Sequence, residues 1–324
     1  MKYLYTLISV IILIFLVVLF SYFRQGRESV DYDYREAFEK KYSIFALPIP
    51  GDLSFAGEKV PLEYFDVREA LDQELLINTY WQSQTVLFIK RANRYFPRIE
   101  RILQENGVPE DFKYLVLAES DLKNSVSPAG AVGIWQLLKG TARDYGLEVN
   151  DEVDERYHLE KSTQAAAEFL KDAHDLFGTW TMAAAAYNMG RTGLLRQVNR
   201  QKEKNYYNLL LNTETARYIY RVLAIKLILE SPEDYGFHLR QKDFYHPVHT
   251  YTVMVDSSVS DFADFADKHQ INYKLLKYFN PWLRDSFLSN PQRKIYRIEI
   301  PEEGYRNYTL INELHLNDSS QVSK

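Results

Sequence analysis

The chain has 324 residues, 46% of them hydrophobic, a net charge of −5 and no cysteine. This length gives room for two domains and a substantial core, and the apolar fraction excludes a disordered chain. Without cysteine there is no disulfide, thiol nucleophile, zinc–thiolate site or lipidated N-terminal cysteine, and the acidic balance shows no basic stripe of the kind nucleic-acid binders carry.

Residues 3–23 form an uncharged apolar run of membrane-spanning length. Lys2 precedes it and Arg24 and Arg27 follow, so charge asymmetry does not fix an orientation. No small-x-small cleavage site follows, so 1–24 is read as an uncleaved anchor, with a removed signal peptide as the alternative. Residues 25–66 are expected to be a charged linker leading into an extended segment. Its second half holds Pro48, Pro50, Pro61, Gly51 and Gly57 and should lie over a domain. The charges at 24–41 are mixed, which suits a tether better than a lipid-reading patch.

From residue 67 the apolar spacing is helical, with Asp66 as a candidate N-cap. A further helix should begin at Pro109, place Glu110 and Asp111 in its first turn, and run to about Asp121. Others are expected over 162–177, from 179 to 187 continuing toward 199, and over 213–229. The block 67–235 therefore reads as helical, apart from a glycine-bearing turn at 125–136. Asp151, Glu152, Asp154 and Glu155 raise the possibility of a cation site; a solvated turn with an Asp154–Arg156 pair is the preferred reading. The seven histidines show no HExxH-type spacing, so neither a metal nor a cofactor is expected. The 25 tyrosines and 4 tryptophans suit sugar faces, but they suit ordinary cores as well.

Past Tyr235 the texture changes. Residues 249–257 read as a strand, 259–270 and 272–280 as short helices, and 294–301 as a closing strand. This gives a small β-α-α-β unit over 246–302, expected to fold alone, followed by a polar tail, 303–324. The fold class is thus mainly α, with a small α+β C-terminal domain and an N-terminal transmembrane helix.

The segment 114–136 carries the candidate chemistry. It is apolar up to Ala118, then places Glu119, Ser120 and a turn with Ser127, Gly130, Gly133 and Gln136. An ionised glutamate away from water is costly unless it is paired or its pKa rises. On a helix Asp121 would lie about 200° around from Glu119, so the two make a poor carboxylate pair. Gln136 offers an amide suited to hydroxyl or N-acetyl groups. Farther on, small alanines at 183–186 lead to the neutral polar pair Tyr187 and Asn188.

Taken singly these features are ordinary. In order, Glu-Ser at 119–120, SPAGAVGIWQ at 127–136, AYNMG at 186–190 and ETARYI at 214–219 resemble the lytic transglycosylase family. The likeness is to its soluble-lytic-transglycosylase-type catalytic domain, in the membrane-bound murein transglycosylase D branch, and includes the run 140–170. It covers about 93–229. It implies a goose-lysozyme-like helical fold and cleavage of the β-1,4 bond between N-acetylmuramic acid and N-acetylglucosamine in peptidoglycan. By the same resemblance Glu119 is the catalytic acid and Ser120 its partner. Ser127, Gly133 and Gln136 fall on the substrate cleft, as do Tyr187, Asn188 and Tyr218. Two departures are visible: Met189 replaces a smaller residue, and Leu137-Leu138-Lys139 stands where Phe-Met-Pro is frequent. The unit at 246–302 resembles a LysM module, with Val255-Asp256-Ser257-Ser258 where a glycine-bearing turn is usual.

The family's route has one glutamate donate a proton to the leaving oxygen, then take one from the muramyl O6, leaving a 1,6-anhydro end. An apolar wall of the Leu115 and Ala118 kind would keep such a glutamate protonated, the logic by which lysozyme tunes its acid. A muramidase with a distant second carboxylate and a non-catalytic wall-binding scaffold are the rivals. The resemblance places the protein in the bacterial cell envelope, held in the membrane with its catalytic domain in the periplasm and glycan strands as its partner.

Overall fold

The computed structural model describes residues 5, 13–15 and 44–311. The chain divides into two units, Met1–Ala46 and Leu47–Lys324. In the first, residues 5 and 13–15 are helical with exposed side chains. The rest of the expected anchor, the tether up to residue 43 and the tail from 312 lie outside the described residues. Among the described residues no helix is long and apolar enough to cross a membrane.

The second unit opens with the expected extended segment, which is a clamped strap. A small hairpin, β1 (Ser54–Phe55) and β2 (Glu58–Lys59), turns at Ala56 and Gly57, both at positive φ. Phe55 is fully buried and packs on Phe112 with ring centroids 5.2 Å apart. The Asp111 carboxylate accepts from the Ala56 amide at 2.7 Å and from Lys226 at 2.7 Å.

Helix α1 (Phe65–Tyr80) begins before Asp66, which sits in the first turn instead of capping it. Helix α2 (Gln82–Glu105) follows. The helix expected from Pro109 splits into a 3₁₀ stretch, Glu110–Tyr114, and α3 (Leu115–Ser120). A short α4 (Lys139–Asp144) follows the glycine-bearing turn. Helix α5 (Leu159–Phe177) starts three residues earlier than the sequence implied.

The helix expected from 179 toward 199 is broken into α6 (Trp180–Met189) and α7 (Arg191–Gln201). Gly190, at φ +82°, divides them in a conformation that glycine adopts without steric cost. The α6 start is capped twice, by the Thr179 hydroxyl and by Glu58 of β2, whose carboxylate accepts from the amides of Trp180 (2.6 Å) and Thr181 (2.9 Å).

Helix α8 (Thr213–Glu230) is the axis of the helical domain. Asn212 caps it by accepting from the Thr215 amide at 2.9 Å. Ile219, Val222, Leu223, Ala224 and Ile225 are all essentially without solvent exposure. A helix with so many of its side chains buried belongs at the centre of a bundle. The small residues Ala183 to Ala186 of α6, all fully buried, let the neighbouring helices approach closely.

The C-terminal unit has the expected β-α-α-β order: β3 (Thr250–Val255), α9 (Phe262–Lys268), α10 (Tyr273–Phe279) and β4 (Tyr296–Pro301). The strands pair antiparallel, from Thr250 opposite Pro301 to Val255 opposite Tyr296. Fully buried Asn280 ties α10 to β4 by donating to the Glu299 carbonyl (2.7 Å) and accepting from its amide (2.8 Å).

The unit is not a bead on a string. Val153 of the helical domain is part of its core, beside Trp282 and Leu283. The Asp154 amide donates to the Trp282 carbonyl at 2.9 Å, and the Arg284 amide to the Glu152 carbonyl at 2.7 Å. Arg98 of α2 bridges Glu160 and Glu299.

Removing residues 248–324 should therefore destabilise what remains. Val153 would lose about 1.5–3 kcal/mol of burial, and paired backbone groups would be freed. The melting temperature of the remaining helical domain should fall by about 4–8 °C for about 2 kcal/mol, as read by circular dichroism. An unchanged midpoint would mean that the shared core contributes nothing.

Candidate active site

Glu119 stands in the last turn of α3, half-buried, behind the buried residues Leu115, Val116 and Leu117. Burial raises its carboxyl to about 7 from an ordinary value of 4.5. The nearby negative charge of Glu214 adds to the rise. Two groups oppose it: a hydrogen bond from Tyr218 and the positive charge of Arg221. The Tyr218 hydroxyl donates to Glu119 Oε1 at 2.6 Å. Burial pushes that hydroxyl well above the ordinary tyrosine value, so it remains a neutral donor.

Arg221 and Arg217, on α8 with Tyr218, face the buried carboxylate of Glu74 on α1. Arg217 Nε binds Glu74 Oε1 at 2.6 Å, while Arg221 Nε stands 3.8 Å from Oε2. Much of the positive charge beside Glu119 is thus answered by another carboxylate.

Asp121 takes no part in this cluster, though not for the helical reason. The chain leaves α3 with Asp121 in the left-handed region (φ +57°), and its carboxylate accepts from Gln84 at 3.2 Å and Lys123 at 2.9 Å.

The turn after α3 is held from several sides. Val132 exchanges backbone hydrogen bonds with Leu137, both at 3.1 Å. The Ser127 hydroxyl accepts from the Ala131 amide at 3.0 Å. Ser120, buried, donates to the Ile134 carbonyl at 2.7 Å and so ties the turn to α3. Gln136 sits at φ +49°, unusual for a residue with a side chain. Its amide nitrogen donates to the Gly133 carbonyl at 2.7 Å, with Ser125 oxygens at 3.1 and 3.2 Å. Gly133 has φ +83°, and a Cβ there would lie 2.0 Å from the Arg156 carbonyl oxygen.

Trp135 is fully buried and anchors the turn against the helices. Its indole donates to the Thr163 hydroxyl at 2.8 Å, and its carbonyl accepts from the Tyr187 hydroxyl at 2.6 Å. Burial and the neighbouring Glu119 raise the Tyr187 hydroxyl well above its ordinary value. Asn188 accepts from the Thr215 hydroxyl at 2.8 Å, and its amide lies 3.4 Å from Glu214.

Glu119, Tyr218 and Tyr187 are therefore brought together. Ser120 and Gln136 are joined through the turn, and Ser127 and Gly133 shape it. Asn188 borders the group at the start of α8. Arg156 and Glu214 went unremarked as site residues. Both lie inside runs the resemblance quoted, and only three-dimensional proximity separates them from their neighbours.

The acidic group at 151–155 is spoken for differently from the sequence reading. The Asp154–Arg156 pair is present, at 2.9 and 2.7 Å, but both residues are buried and not in a solvated turn. Glu155 is buried too and pairs with Lys161, while Glu152 accepts from the Ser289 amide at 2.6 Å. Among the described residues no group of three or more histidine or acidic side chains is placed to hold a metal ion.

Residues 97–210 match the family described as the transglycosylase SLT domain. Residues 251–304 match the soluble lytic transglycosylase C-terminal LysM-like domain. The chain carries an SLT domain followed by a LysM-like domain. The SLT match contains Glu119, the turn and the Tyr187–Asn188 pair, and ends before Tyr218.

Two relatives named membrane-bound lytic murein transglycosylase D are similar to it. They come from Escherichia coli strain K12 and from Escherichia coli O6:H1 strain CFT073. Each is 30% identical over 254 residues, 75% of this chain and 55% of the relative. The chain thus spans about half the length of the curated relatives it matches.

Two outcomes test this geometry. Gly133→Ala forces a methyl into backbone at a left-handed φ, so it should destabilise by about 2 kcal/mol or more. A melting temperature unchanged from the native protein would contradict the close approach to Arg156. Glu119→Gln removes a carboxyl whose folded pKa lies above its unfolded one. Between pH 4.5 and about 7 the folded state keeps the proton that the unfolded state has lost, so native stability falls as pH rises through that window. The Gln variant should lack that loss and gain relative stability above pH 7, as read in urea titrations. Parallel pH–stability curves for the two proteins would contradict the raised carboxyl.

Proposed function

We propose that this chain is a peptidoglycan lytic transglycosylase. It would cleave the N-acetylmuramic acid–β-1,4–N-acetylglucosamine bond and leave a 1,6-anhydro muramyl end. The observation that carries the reading is Glu119, raised to about 7 and held by one neutral hydroxyl, Tyr218. A carboxyl at that value is protonated enough to act as acid near neutral pH and basic enough to act in return. The SLT domain match and the name of the Escherichia coli relatives support the substrate class.

In this mechanism Glu119 gives its proton to the glycosidic oxygen as the bond to C1 breaks. The carboxylate so formed is stabilised by Tyr218 and the charge of Arg221. It then removes the proton from the muramyl O6, whose oxygen closes on C1. The proton returns to Glu119 and no water is consumed. The substrate's N-acetyl group would stabilise the positive charge at C1 in between. Ser127, Gln136 and Asn188 are assigned to holding the sugars, and Ser120, Gly133 and Tyr187 to the shape of the cleft. The proposal includes attachment to the membrane through the uncharged run at 3–23, with the helical domain in the periplasm.

One observation favours a second reading. Glu214 is near enough to raise the Glu119 carboxyl and could serve as the base of a muramidase that uses water. The product distinguishes the two. Sacculi digested by the protein should release muropeptides with anhydro ends, seen by mass spectrometry as lacking one water. Glu119→Gln should cut turnover by about 10²–10⁴-fold or more. The rate should also fall above about pH 7, where the acid form is lost. Reducing-end products together with an equal loss in Glu214→Gln would establish the hydrolase instead. Near-normal turnover in Glu119→Gln would remove Glu119 from the chemistry.

A further inference from the structure

The turn at 130–137 and the LysM-like domain are linked by one short segment, 152–157, which binds both. On one side of it the Arg156 guanidinium is almost fully engaged. Nε and Nη2 hold the two oxygens of Asp154 at 2.9 and 2.7 Å. Nη1 stands 3.2 Å from the carbonyl of Gly130 and 3.2 Å from that of Leu137. Four of the five N–H donors are thus assigned, two to a buried carboxylate and two to opposite ends of the turn. The Arg156 carbonyl also sets the space into which Gly133 fits.

On the other side the same segment is gripped by the C-terminal domain. The Asp154 amide donates to the Trp282 carbonyl, and Val153 bridges to Leu283. The Arg284 guanidinium lies 4.1 Å from the centre of the Tyr157 ring. Glu152 binds the backbone and hydroxyl of Ser289 at 2.6 and 2.7 Å. One residue, Asp154, therefore contacts the C-terminal domain through its backbone and the turn's clamp through its side chain.

We propose that Arg156 is a positioning residue for the substrate-holding turn, and that the LysM-like domain acts on the site by holding the segment that carries Arg156. This rests on the functional reading above, in which Gln136 and Ser127 hold the sugars. The C-terminal domain then contributes to cleavage even of glycans too short to reach it. The Glu119 carboxyl is tuned by α3 and α8, so its acidity is independent of this clamp.

The test uses the full chain with Arg156→Lys, Arg156→Ala and, from the far side of the segment, Arg284→Ala. Lysine keeps the charge beside Asp154 but, as a single point of donation, cannot fork to the carboxylate and both carbonyls at once. Hydrogen exchange of the amides at 130–137 should rise at least about tenfold in Arg156→Lys and in Arg284→Ala, while exchange in β3 stays near native in Arg156→Lys. On short soluble glycans KM should rise several-fold in both variants, with the pH dependence of kcat unchanged. Arg156→Ala, which strands buried Asp154, should be worse than Arg156→Lys.

Native exchange in the turn of Arg156→Lys would overturn the proposal, as would a native KM accompanied by a shifted pH profile. Native exchange in Arg284→Ala would overturn the part assigned to the C-terminal domain. If the native protein cleaves no glycan, the functional reading fails, while the exchange measurements still decide whether Arg156 and its neighbour domain hold the turn.

Discussion

A carboxyl group held largely out of water, with one neutral hydroxyl for a partner, is the constraint around which this molecule is arranged. Glu119 lies behind the apolar turn of Leu115 to Leu117, and that burial is the largest influence on its acidity. A carboxylate so placed would be costly without help, so the structure supplies help in small measure: the Tyr218 hydroxyl at 2.6 Å and an arginine already turned toward Glu74. More positive charge would hold Glu119 ionised. Less would leave it too weak an acid to give its proton to a leaving oxygen. The balance is struck on α8, which carries both the buried Tyr218 and the partly exposed Arg221.

The rest of the helical domain keeps that balance in place. Beta-strand residue Glu58 fixes the start of α6, whose far end carries Tyr187 and Asn188. Asp111 and Lys226 pin the strap across the base of α8. Trp135, conspicuous in the sequence as an aromatic beside a candidate sugar site, is wholly interior and bolts the turn to α5 and α6. The strap and the tryptophan are scaffolding for the acid on α3 and the turn that follows it.

Much of this was legible in the amino acids. The apolar run ending in Glu119, the glycines of the turn and the order of the small motifs pointed to one cluster of residues and to a helical domain with a β-α-α-β unit after it. What escaped the sequence has physical causes. Asp66 and the start of α5 were misjudged because backbone and tertiary contacts fix those ends without a conventional side-chain cap. The break at Gly190 was hidden by apolar spacing that continues in phase on both sides. Asp154 looked like part of a solvated acidic turn because its burial depends on Trp282, far along the chain, and on the Arg156 fork. The contacts that join the C-terminal unit to the helical domain were hidden for the same reason. Val153 reads as one valine in a charged stretch until the second core closes over it.

The acidity of one group decides whether this site can act as both acid and base. A carbon-13 titration of the Glu119 side-chain carboxyl in the folded protein, assigned by comparison with Glu119→Gln, measures it without reference to any substrate. The predicted apparent pKa is about 7, and it should rise further in Tyr218→Phe, where the hydrogen bond that lowers it is gone. A value near the ordinary 4.5, indifferent to Tyr218, would contradict the account.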